Sequence, residues 1–263
     1  MDKNKPVTAA TLLRAKERGE KTVWLTAYDA VSAQLAEAAG VDVLLVGDSL
    51  GMVVLGLDTT LPVTLEDMIH HTAAVVRGRT TAWVVCDLPF GTYQRSPEQA
   101  WDTSVRVLQE TGCDAVKLEG GMHMAETIRF LAERGIAVVA HIGLTPQSVK
   151  KFGGYGRRGR TENERAQLKK DAEAVTEAGC AALVLENIPH ELAGEISAAV
   201  HVPTVGIGAG TDCDAQVLVW HDLLGLSETN PPFAPAYANA RDIMVNAITS
   251  WIDDVRRERF PKS

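Results

Sequence analysis

Four acidic residues stand where short apolar runs of the sequence come to an end. They are Asp48, Asp87, Glu119 and Glu186. Carboxylates that share a partly dry cavity repel one another unless a cation or a proton lies between them. Oxygen ligands favour Mg²⁺, Mn²⁺ or Ca²⁺ over zinc. We therefore predict a magnesium-type ion served by three of the acids, with one acid left as a general base. A single such acid could equally cap the following helix.

A lysine and a histidine accompany these acids. Lys117 lies two residues before Glu119, so their side chains point to the same face of an extended strand. If that face is inward, Lys117 brings a cation into the acidic cavity; the alternative is a buried ion pair with Glu119. His141 could stabilise an oxyanion, relay a proton or serve as a hydrogen-bonded structural residue. We expect the other six histidines to be structural.

Two further segments could bind anions. Gly206–Gly210 follows the seventh apolar run, where barrels often hold phosphate, but it could also serve only a tight turn. The segment Lys150–Arg160 has five bases, four glycines and no acid. It predicts either a mobile lid that attracts anions or a solvated surface loop. Cys86 adjoins Asp87 without an evident base, and we expect it to belong to the core.

Eight short apolar runs alternate with longer amphipathic segments. The runs are Thr22–Thr26, Val43–Gly47, Ala82–Cys86, Asp114–Leu118, Ile136–Ala140, Ala181–Leu185, Pro203–Gly206 and Gln216–Trp220. The helical segments are Ala30–Ala39, Leu65–Val76, Pro97–Thr111, Met122–Arg134, Glu162–Ala178, Glu191–Val200 and Ala240–Arg257. Strands that alternate with helices and are apolar on both faces indicate a parallel sheet.

The strand pattern predicts an α/β fold, a closed (β/α)8 TIM barrel whose strand ends converge on one cavity. The alternative is an open doubly wound sheet, although the GxGxxG of a dinucleotide-binding fold is absent after the first run. Val7–Gly19 predicts an extra N-terminal helix that could close the N-terminal mouth. Capping residues predict helix ends, with Asp29, Thr64 and Ser96 as N-caps.

Length, charge and cysteine content narrow the classes of protein. The 263 residues, 46% of them hydrophobic, suit one barrel, and we predict a single domain over residues 1–263. A net charge of −8 without a long basic run disfavours nucleic acid and anionic membranes as partners. We expect no membrane span and no secretory signal behind Met1–Pro6. Four separate cysteines without a CxxC pair favour reduced thiols in a cytoplasmic protein.

Short motifs along nearly the whole chain carry a resemblance to a known family. They are Thr26–Asp29, Leu45–Met52, Leu61–Thr64, His71–Val75, Asp87–Phe90, Val116–Gly121, His141–Gln147, Phe152–Tyr155, Leu185–Glu186, Gly206–Gly210 and His221–Asp222. In this order, over about residues 7 to 237, they resemble the ketopantoate hydroxymethyltransferase (3-methyl-2-oxobutanoate hydroxymethyltransferase) family. Several motifs are short alone, but together they are highly specific.

The resemblance implies a TIM barrel akin to the phosphoenolpyruvate mutase/isocitrate lyase superfamily. It implies transfer of a hydroxymethyl group from methylenetetrahydrofolate to α-ketoisovalerate, which gives ketopantoate and tetrahydrofolate on the route to pantothenate and coenzyme A. The implied Mg²⁺ ligands, one ion per subunit, are Asp48, Asp87 and, through water if not directly, Glu119. Ser49 and Lys117, with both aspartates, would bind the keto acid, and Glu186 would be the base that forms a Mg-stabilised enolate. The implied assembly is a homodecamer of two pentameric rings.

Two segments depart from the family pattern, and two other functions remain as alternatives. Gly156–Arg158 is more basic than expected, which suggests attraction of the polyglutamate tail of cellular folates. Asn230–Pro235 lacks expected bases, which leaves a surface contact in doubt. The first alternative is a lyase of the same superfamily, although its Lys-Lys-Cys-Gly-His signature is absent. The second is a barrel that only binds a ligand, although a binder needs no spare base.

Overall fold

The structure is a computed structural model that describes residues 5–261. Residues 1–4, on which part of the secretory-signal prediction rests, lie outside the described residues. The strands are β1 (Thr22–Thr26), β2 (Val43–Val46), β3 (Trp83–Asp87), β4 (Ala115–Glu119), β5 (Val138–Gly143), β6 (Ala182–Glu186), β7 (Thr204–Ile207) and β8 (Ala215–Leu218). The helices are α1 (Ala9–Glu17), α2 (Ala30–Ala39), α3 (Leu50–Val53), α4 (Leu65–Gly78), α5 (Pro97–Thr111), α6 (Ala125–Ala132), α7 (Val149–Phe152), α8 (Glu162–Glu177), α9 (His190–Ala199), α10 (Trp220–Leu224) and α11 (Ala240–Arg256).

The eight strands close into a barrel in chain order, and the paired neighbours run parallel. This confirms the TIM barrel and excludes the open doubly wound sheet. Strands β2 to β7 have no exposed residue, as their apolar composition on both faces predicted. By contrast, Val23 of β1 is 52% exposed and Gln216 of β8 is also exposed.

The N-terminal helix is confirmed, although α1 is shorter than the predicted Val7–Gly19. Leu12 is fully buried and belongs to the same core cluster as Trp24 and Trp83, whose rings meet edge to face. The Val7 N–H donates to the carbonyl of Thr81, just before β3, at 2.8 Å. The helix therefore covers the N-terminal end of the barrel, opposite the acids.

Helix caps lie where the sequence predicted them. The Asp29 and Thr64 side chains each accept a hydrogen bond from the backbone N–H three residues on, and so does Ser96. Asp67 completes a capping box with Thr64. Gly112 ends α5 with a left-handed φ of 73°, which a residue with a Cβ rarely adopts.

Several predicted elements differ from the structure in their bounds, and two of them contain another type of secondary structure at one end. The predicted helix Met122–Arg134 begins as a 3₁₀ turn, Met122–Met124, because the Met124 N–H bonds to the Gly121 carbonyl. Its α-helical part is Ala125–Ala132. The predicted eighth strand ran to Trp220, but Trp220 begins α10, since the Leu223 N–H bonds back to the Val219 carbonyl.

The chain divides into two compact units with a boundary between Val217 and Leu218. The first contains the barrel strands up to that point. The second contains α10 and α11, and α11 has no buried residue along its length. A single domain over residues 1–263 stays a prediction. No helix within residues 5–261 is long and apolar enough to cross a membrane.

The four cysteines are all free and buried. Cys86 is fully buried and accepts a hydrogen bond from the Thr72 hydroxyl at 3.1 Å, so it belongs to the core as predicted. Burial raises the pKa of Cys113 to about 11 and that of Cys180 to about 12. These thiols are poor nucleophiles because the thiolate is the reactive form.

Candidate active site

The acids that the sequence singled out lie at the carboxyl ends of neighbouring strands. Asp48 follows β2 by two residues, and Asp87, Glu119 and Glu186 are the last residues of β3, β4 and β6. His141 lies in β5 directly opposite Glu119. Parallel strands in a closed barrel bring these ends together at one mouth. The convergence that the sequence predicted is therefore present in the structure.

Lys117 points into the barrel, which was one of the two possibilities, and its partner is Asp87 rather than the Glu119 of the alternative. The Lys117 ammonium nitrogen lies 2.5 Å from Asp87 Oδ1, and both side chains are buried. The register explains this choice, because Asp87 and Lys117 stand opposite each other across β3 and β4. Burial lowers the pKa of Lys117, but the charges of Asp87, Glu119 and Asp48 outweigh it and raise that pKa above its ordinary value.

Asp48 is the carboxylate with the most perturbed environment in this cluster. Its backbone N–H donates to Asp87 Oδ2 at 3.1 Å. Burial, followed by the negative charges of Asp87 and Glu119, raises the pKa of Asp48 to about 8. A nearby cation or a bound proton stabilises a buried carboxylate that is surrounded by negative charge. The arrangement therefore favours a bound cation, as we expected from the sequence.

Gln147 links the acids, and the sequence analysis did not identify it. Its side-chain amide donates to Asp48 Oδ2 at 2.9 Å, and its backbone N–H donates to Glu119 Oε2 at 3.0 Å. Its Oε1 accepts a 2.6 Å hydrogen bond from the buried Tyr93 hydroxyl, which itself accepts from the Glu119 N–H. Gln147 lies in a 3₁₀ turn, Pro146–Ser148, after β5. Its signal in the sequence was its place in the motif His141–Gln147.

His141 lies between two carboxylates on opposite sides of its ring. Its Nδ1 is 3.6 Å from Glu119 Oε1, and its Nε2 is 3.2 Å from Glu186 Oε2. Neither contact has hydrogen-bond geometry, and both ring nitrogens and Glu119 Oε1 lack a hydrogen bond within the described residues. Burial and Lys117 lower the pKa of His141, but Glu119 and Glu186 raise it to about 9.

Ser49 lies at the rim of the acid cluster. Its hydroxyl is 2.9 Å from the Tyr28 hydroxyl. A Cβ at Gly47 would come within 2.8 Å of Ser49 Oγ and 3.5 Å of Asp87 Oδ2. A glycine at this position therefore leaves room for the serine hydroxyl.

Glu186 stands apart from the buried acids and next to the basic segment. Its side chain is 17% exposed. The following residue, Asn187, has a left-handed φ of 48° and donates from its amide to the Tyr155 carbonyl at 3.2 Å. The Asn187 carbonyl accepts from the Arg158 N–H at 3.0 Å. Backbone contacts thus hold the basic segment beside Glu186, and its role as a lid stays a prediction.

The glycines at the end of β7 and in the turn after it have a packing explanation. Gly210 has a φ of 83°, and a Cβ there would lie 2.0 Å from the His190 ring. A Cβ at Gly206 would lie 3.0 Å from the Cys213 sulfur. The tight-turn interpretation of Gly206–Gly210 therefore accounts for these residues without a phosphate.

The acid cluster fits a divalent cation held by few protein ligands. No group of three or more His, Cys, Asp or Glu in the described part of the chain has the arrangement of a complete metal site. Mg²⁺, however, commonly uses one or two carboxylates and completes its shell with water and substrate oxygens. Asp48 and Asp87 supply such carboxylates, and Glu119 Oε1 is a buried oxygen without a hydrogen bond. The donor set is therefore suited to Mg²⁺.

A closed parallel barrel with acids at the carboxyl strand ends defines a TIM-barrel enzyme. Solved structures with this fold include 2,3-dimethylmalate lyase, a member of the phosphoenolpyruvate mutase/isocitrate lyase superfamily. Its TM-score is 0.59 at 19% identity, over 97% of this chain and 89% of that one. A complex of phosphonopyruvate hydrolase with oxalate and Mg²⁺ has a TM-score of 0.60 at 13% identity, over 95% and 88%. These likenesses establish the fold.

Sequence comparison gives the family. The model of the family described as ketopantoate hydroxymethyltransferase matches residues 6–263. The 3-methyl-2-oxobutanoate hydroxymethyltransferase of Moorella thermoacetica is 52% identical over 256 residues, 97% of this chain and 95% of that protein. The Synechocystis sp. protein of the same name is 52% identical over 257 residues, 97% and 98% of the two chains. The chain belongs to the ketopantoate hydroxymethyltransferase family and is an enzyme.

Proposed function

We propose that this enzyme makes ketopantoate by transferring a hydroxymethyl group from methylenetetrahydrofolate to α-ketoisovalerate. The names of its relatives state the acceptor, since 3-methyl-2-oxobutanoate is α-ketoisovalerate. One observation carries the proposal. Buried Asp48, Asp87 and Lys117 stand together on one side, whereas Glu186 lies on the far side of His141. The first group suits a metal and an anionic keto acid, and the second supplies a separate base.

The buried group would hold the keto acid and its metal. We assign Asp48 and Asp87 as Mg²⁺ ligands, one ion per subunit, with Glu119 as a further ligand, either directly or through water. Bound Mg²⁺ supplies positive charge that polarises the keto-acid carbonyl and acidifies the neighbouring C–H. Lys117 keeps its proton, because the three carboxylates raise its pKa, and offsets negative charge on the substrate. The Ser49 hydroxyl donates to a substrate oxygen.

Glu186 would take the proton from C3 of α-ketoisovalerate. His141, whose Nε2 is 3.2 Å away and whose pKa is raised to about 9, attracts this carboxylate by its charge without replacing it as the proton acceptor. C3 then forms a bond to the one-carbon unit, whose bonds to the folate nitrogens break. One water supplies the hydroxyl oxygen and the protons that complete the products. The balance is α-ketoisovalerate, methylenetetrahydrofolate and water in, and ketopantoate and tetrahydrofolate out.

The first half of this reaction can be measured alone. In deuterium oxide with Mg²⁺, the purified enzyme should exchange the C3 hydrogen of α-ketoisovalerate without any folate. Glu186→Gln should reduce that exchange at least a hundredfold, since general-base catalysis contributes about 10²–10⁴-fold. Glu191→Gln, the same change at an exposed position of α9, is the matched control.

Two results would count against these roles. No ketopantoate from either methylenetetrahydrofolate or formaldehyde, with Mg²⁺ present, refutes the proposed function. Full turnover of Glu186→Gln refutes only the base assignment. Treatment with EDTA should abolish turnover, and added Mg²⁺ should restore it.

We also propose a homo-oligomer, a decamer of two pentameric rings. Its support is apolar surface that lacks cover in the described chain. On α11, an apolar stripe repeats at helical spacing, and each of its members is at least 44% exposed: Met244, Ile248, Trp251 and Val255. The outward Val23 of β1 is exposed as well. A second copy can supply the cover that such surfaces need.

Light scattering tests the oligomer directly. The parent should have a mass near ten times the 28.3 kDa of one chain. Ile248→Asp should lower that mass, because it places a charge in the apolar stripe. Asn246→Asp, which adds the same charge elsewhere on α11, should not. A monomeric parent would refute the oligomer.

The basic segment would attract the glutamate tail of folates. Arg157 is exposed, whereas Arg158 is engaged by Glu164 at 2.9 Å. The double variant Arg157→Ala/Arg158→Ala should lose a preference for polyglutamyl over monoglutamyl folate. If the parent and the double variant both bind polyglutamyl and monoglutamyl folate with equal affinity, this role of the basic segment is refuted. We also propose the cytoplasm as location, supported by four free cysteines.

A further inference from the structure

A cavity of about 190 Å³ lies beside the acid cluster. It is bounded by residues that follow β3, β4 and β5 and by residues of α7 and α8. We name it the side cavity. Glu119 and Gln147 line it, and the same two residues bond to each other within the acid cluster. The side cavity is therefore a neighbour of the proposed keto-acid site rather than a separate surface feature.

Two phenylalanine rings belong to its lining. Phe90 lines it and is 49% exposed. Phe152 also lines it, and the Arg158 guanidinium stacks on that ring at 4.4 Å from the centroid. Aromatic rings attract other flat rings beyond the gain from burial alone. Since pockets for drug-sized ligands start at roughly 300 Å³, this volume suits one ring system rather than a whole folate.

One carboxylate in the lining has unused capacity. Asp171 Oδ1 accepts from the Met122 N–H at 2.9 Å and from the Gln167 amide at 3.0 Å. Within residues 5–261 both hydrogen bonds end on Oδ1, so Oδ2 is left to accept from a ligand. A Cβ at Gly121 would fall 2.1 Å from the Asp171 Cγ, which shows how closely this carboxyl packs on the backbone. The side cavity thus offers a fixed acceptor for N–H donors.

We propose that the side cavity binds the pterin ring of the reduced folate. The pterin is a flat bicycle with amide and amino N–H groups. Its N–H groups donate to Asp171, and its ring lies against Phe90 and Phe152. The keto acid is an anion without N–H donors and does not match this lining. This inference rests on the proposed function, because it assigns a place to the folate used there.

The position of the basic segment agrees with this orientation. Lys151 and Phe152 line the side cavity and also belong to the basic segment Lys150–Arg160. A folate with its pterin in the cavity would carry its glutamate carboxylates toward exposed Lys150 and Arg157. One ligand therefore accounts for both the aromatic and acceptor groups of the cavity and the cationic rim.

Equilibrium dialysis of tetrahydrofolate against the full-length protein tests this assignment. Asp171→Asn keeps an oxygen for the Met122 N–H but removes the charge, and we expect the Kd to rise about tenfold, or ~1.4 kcal/mol. Phe90→Ser changes an exposed ring and should weaken binding as well. Asp102→Asn makes the same charge change on the exposed side of α5 and is the matched control.

The outcomes separate this inference from the proposed function. No tetrahydrofolate binding by the parent, or parent-like Kd values for both variants, overturns the side-cavity assignment. A loss of C3 deuterium exchange in Asp171→Asn as large as its loss of folate binding also overturns it, because the cavity would then serve the keto acid. Asp171-dependent binding by a parent that makes no ketopantoate supports the cavity and refutes the function.

Discussion

Replacing Lys117 by methionine should leave a buried carboxylate without its partner. Lys117 and Asp87 are 2.5 Å apart, and each side chain is at most 5% exposed. Breaking a buried ion pair on one side costs about 3–5 kcal/mol. The variant can limit that cost by protonating Asp87. From an ordinary Asp pKa of about 3.9, protonation at pH 7 costs about 4 kcal/mol. We therefore expect Lys117→Met to lose about 4 kcal/mol of unfolding free energy at pH 7.

The same reasoning fixes how this loss depends on pH and metal. A buried carboxyl group without its partner cation is penalised only in its charged form, so the penalty in the variant grows as pH rises above about 4. At pH 5 the penalty should shrink to about 1.5 kcal/mol. A Mg²⁺ ion bound at Asp48 and Asp87 would replace part of the missing positive charge. The loss should therefore be largest in EDTA and smaller with Mg²⁺.

Urea unfolding at pH 5 and pH 7 measures these quantities. Lys169→Met is the matched control, because Lys169 and Glu195 form a pair whose side chains are about half exposed. It should lose no more than about 1 kcal/mol. The double variant Lys117→Met/Asp87→Asn should recover most of the stability, since neither charge is then left alone. A loss below about 1 kcal/mol for Lys117→Met in EDTA at pH 7 would refute the reasoning.

Three other expectations follow from single contacts. In EDTA, the pKa of about 8 at Asp48 should make the unfolding free energy fall as pH rises from about 4 to 8. Asp48→Asn should lack this contribution to the pH dependence when it is unfolded in urea. Gly210→Ala should lower the thermal unfolding midpoint by several degrees, because its Cβ would meet the His190 ring at 2.0 Å. Gln147→Leu removes the side-chain donor to Asp48 and the acceptor for the Tyr93 hydroxyl, so the KM for α-ketoisovalerate should rise more than for Gln94→Leu.

The strand-end acids were predictable because their positions follow from local rules. An apolar run ends, an acid follows, and a closed parallel barrel brings such ends together. The shared face of Lys117 and Glu119 was predictable as well, since it follows from strand alternation. The partner of Lys117 was not predictable, because it depends on the register between β3 and β4.

The contacts made by turns between strands could not be predicted from the sequence. Gln147 reaches Asp48 across 99 positions of the chain, and only the 3₁₀ turn after β5 brings it there. Tyr93 had no pattern around it, yet its hydroxyl contacts both Gln147 and the Glu119 backbone. The exposure of α11 could not be predicted from the sequence either, since its apolar residues have the same spacing as those of a helix that packs on a core.

The buried cysteines have a practical consequence for spectroscopy. All four thiols are shielded from solvent in the native fold, so maleimide dyes should leave the native protein unlabelled. A single added cysteine, Gly156→Cys, would then carry the dye alone, with no need to remove the natural thiols. Because Gly156 is exposed and has open space around it, fluorescence at this site can follow the basic segment during a single turnover.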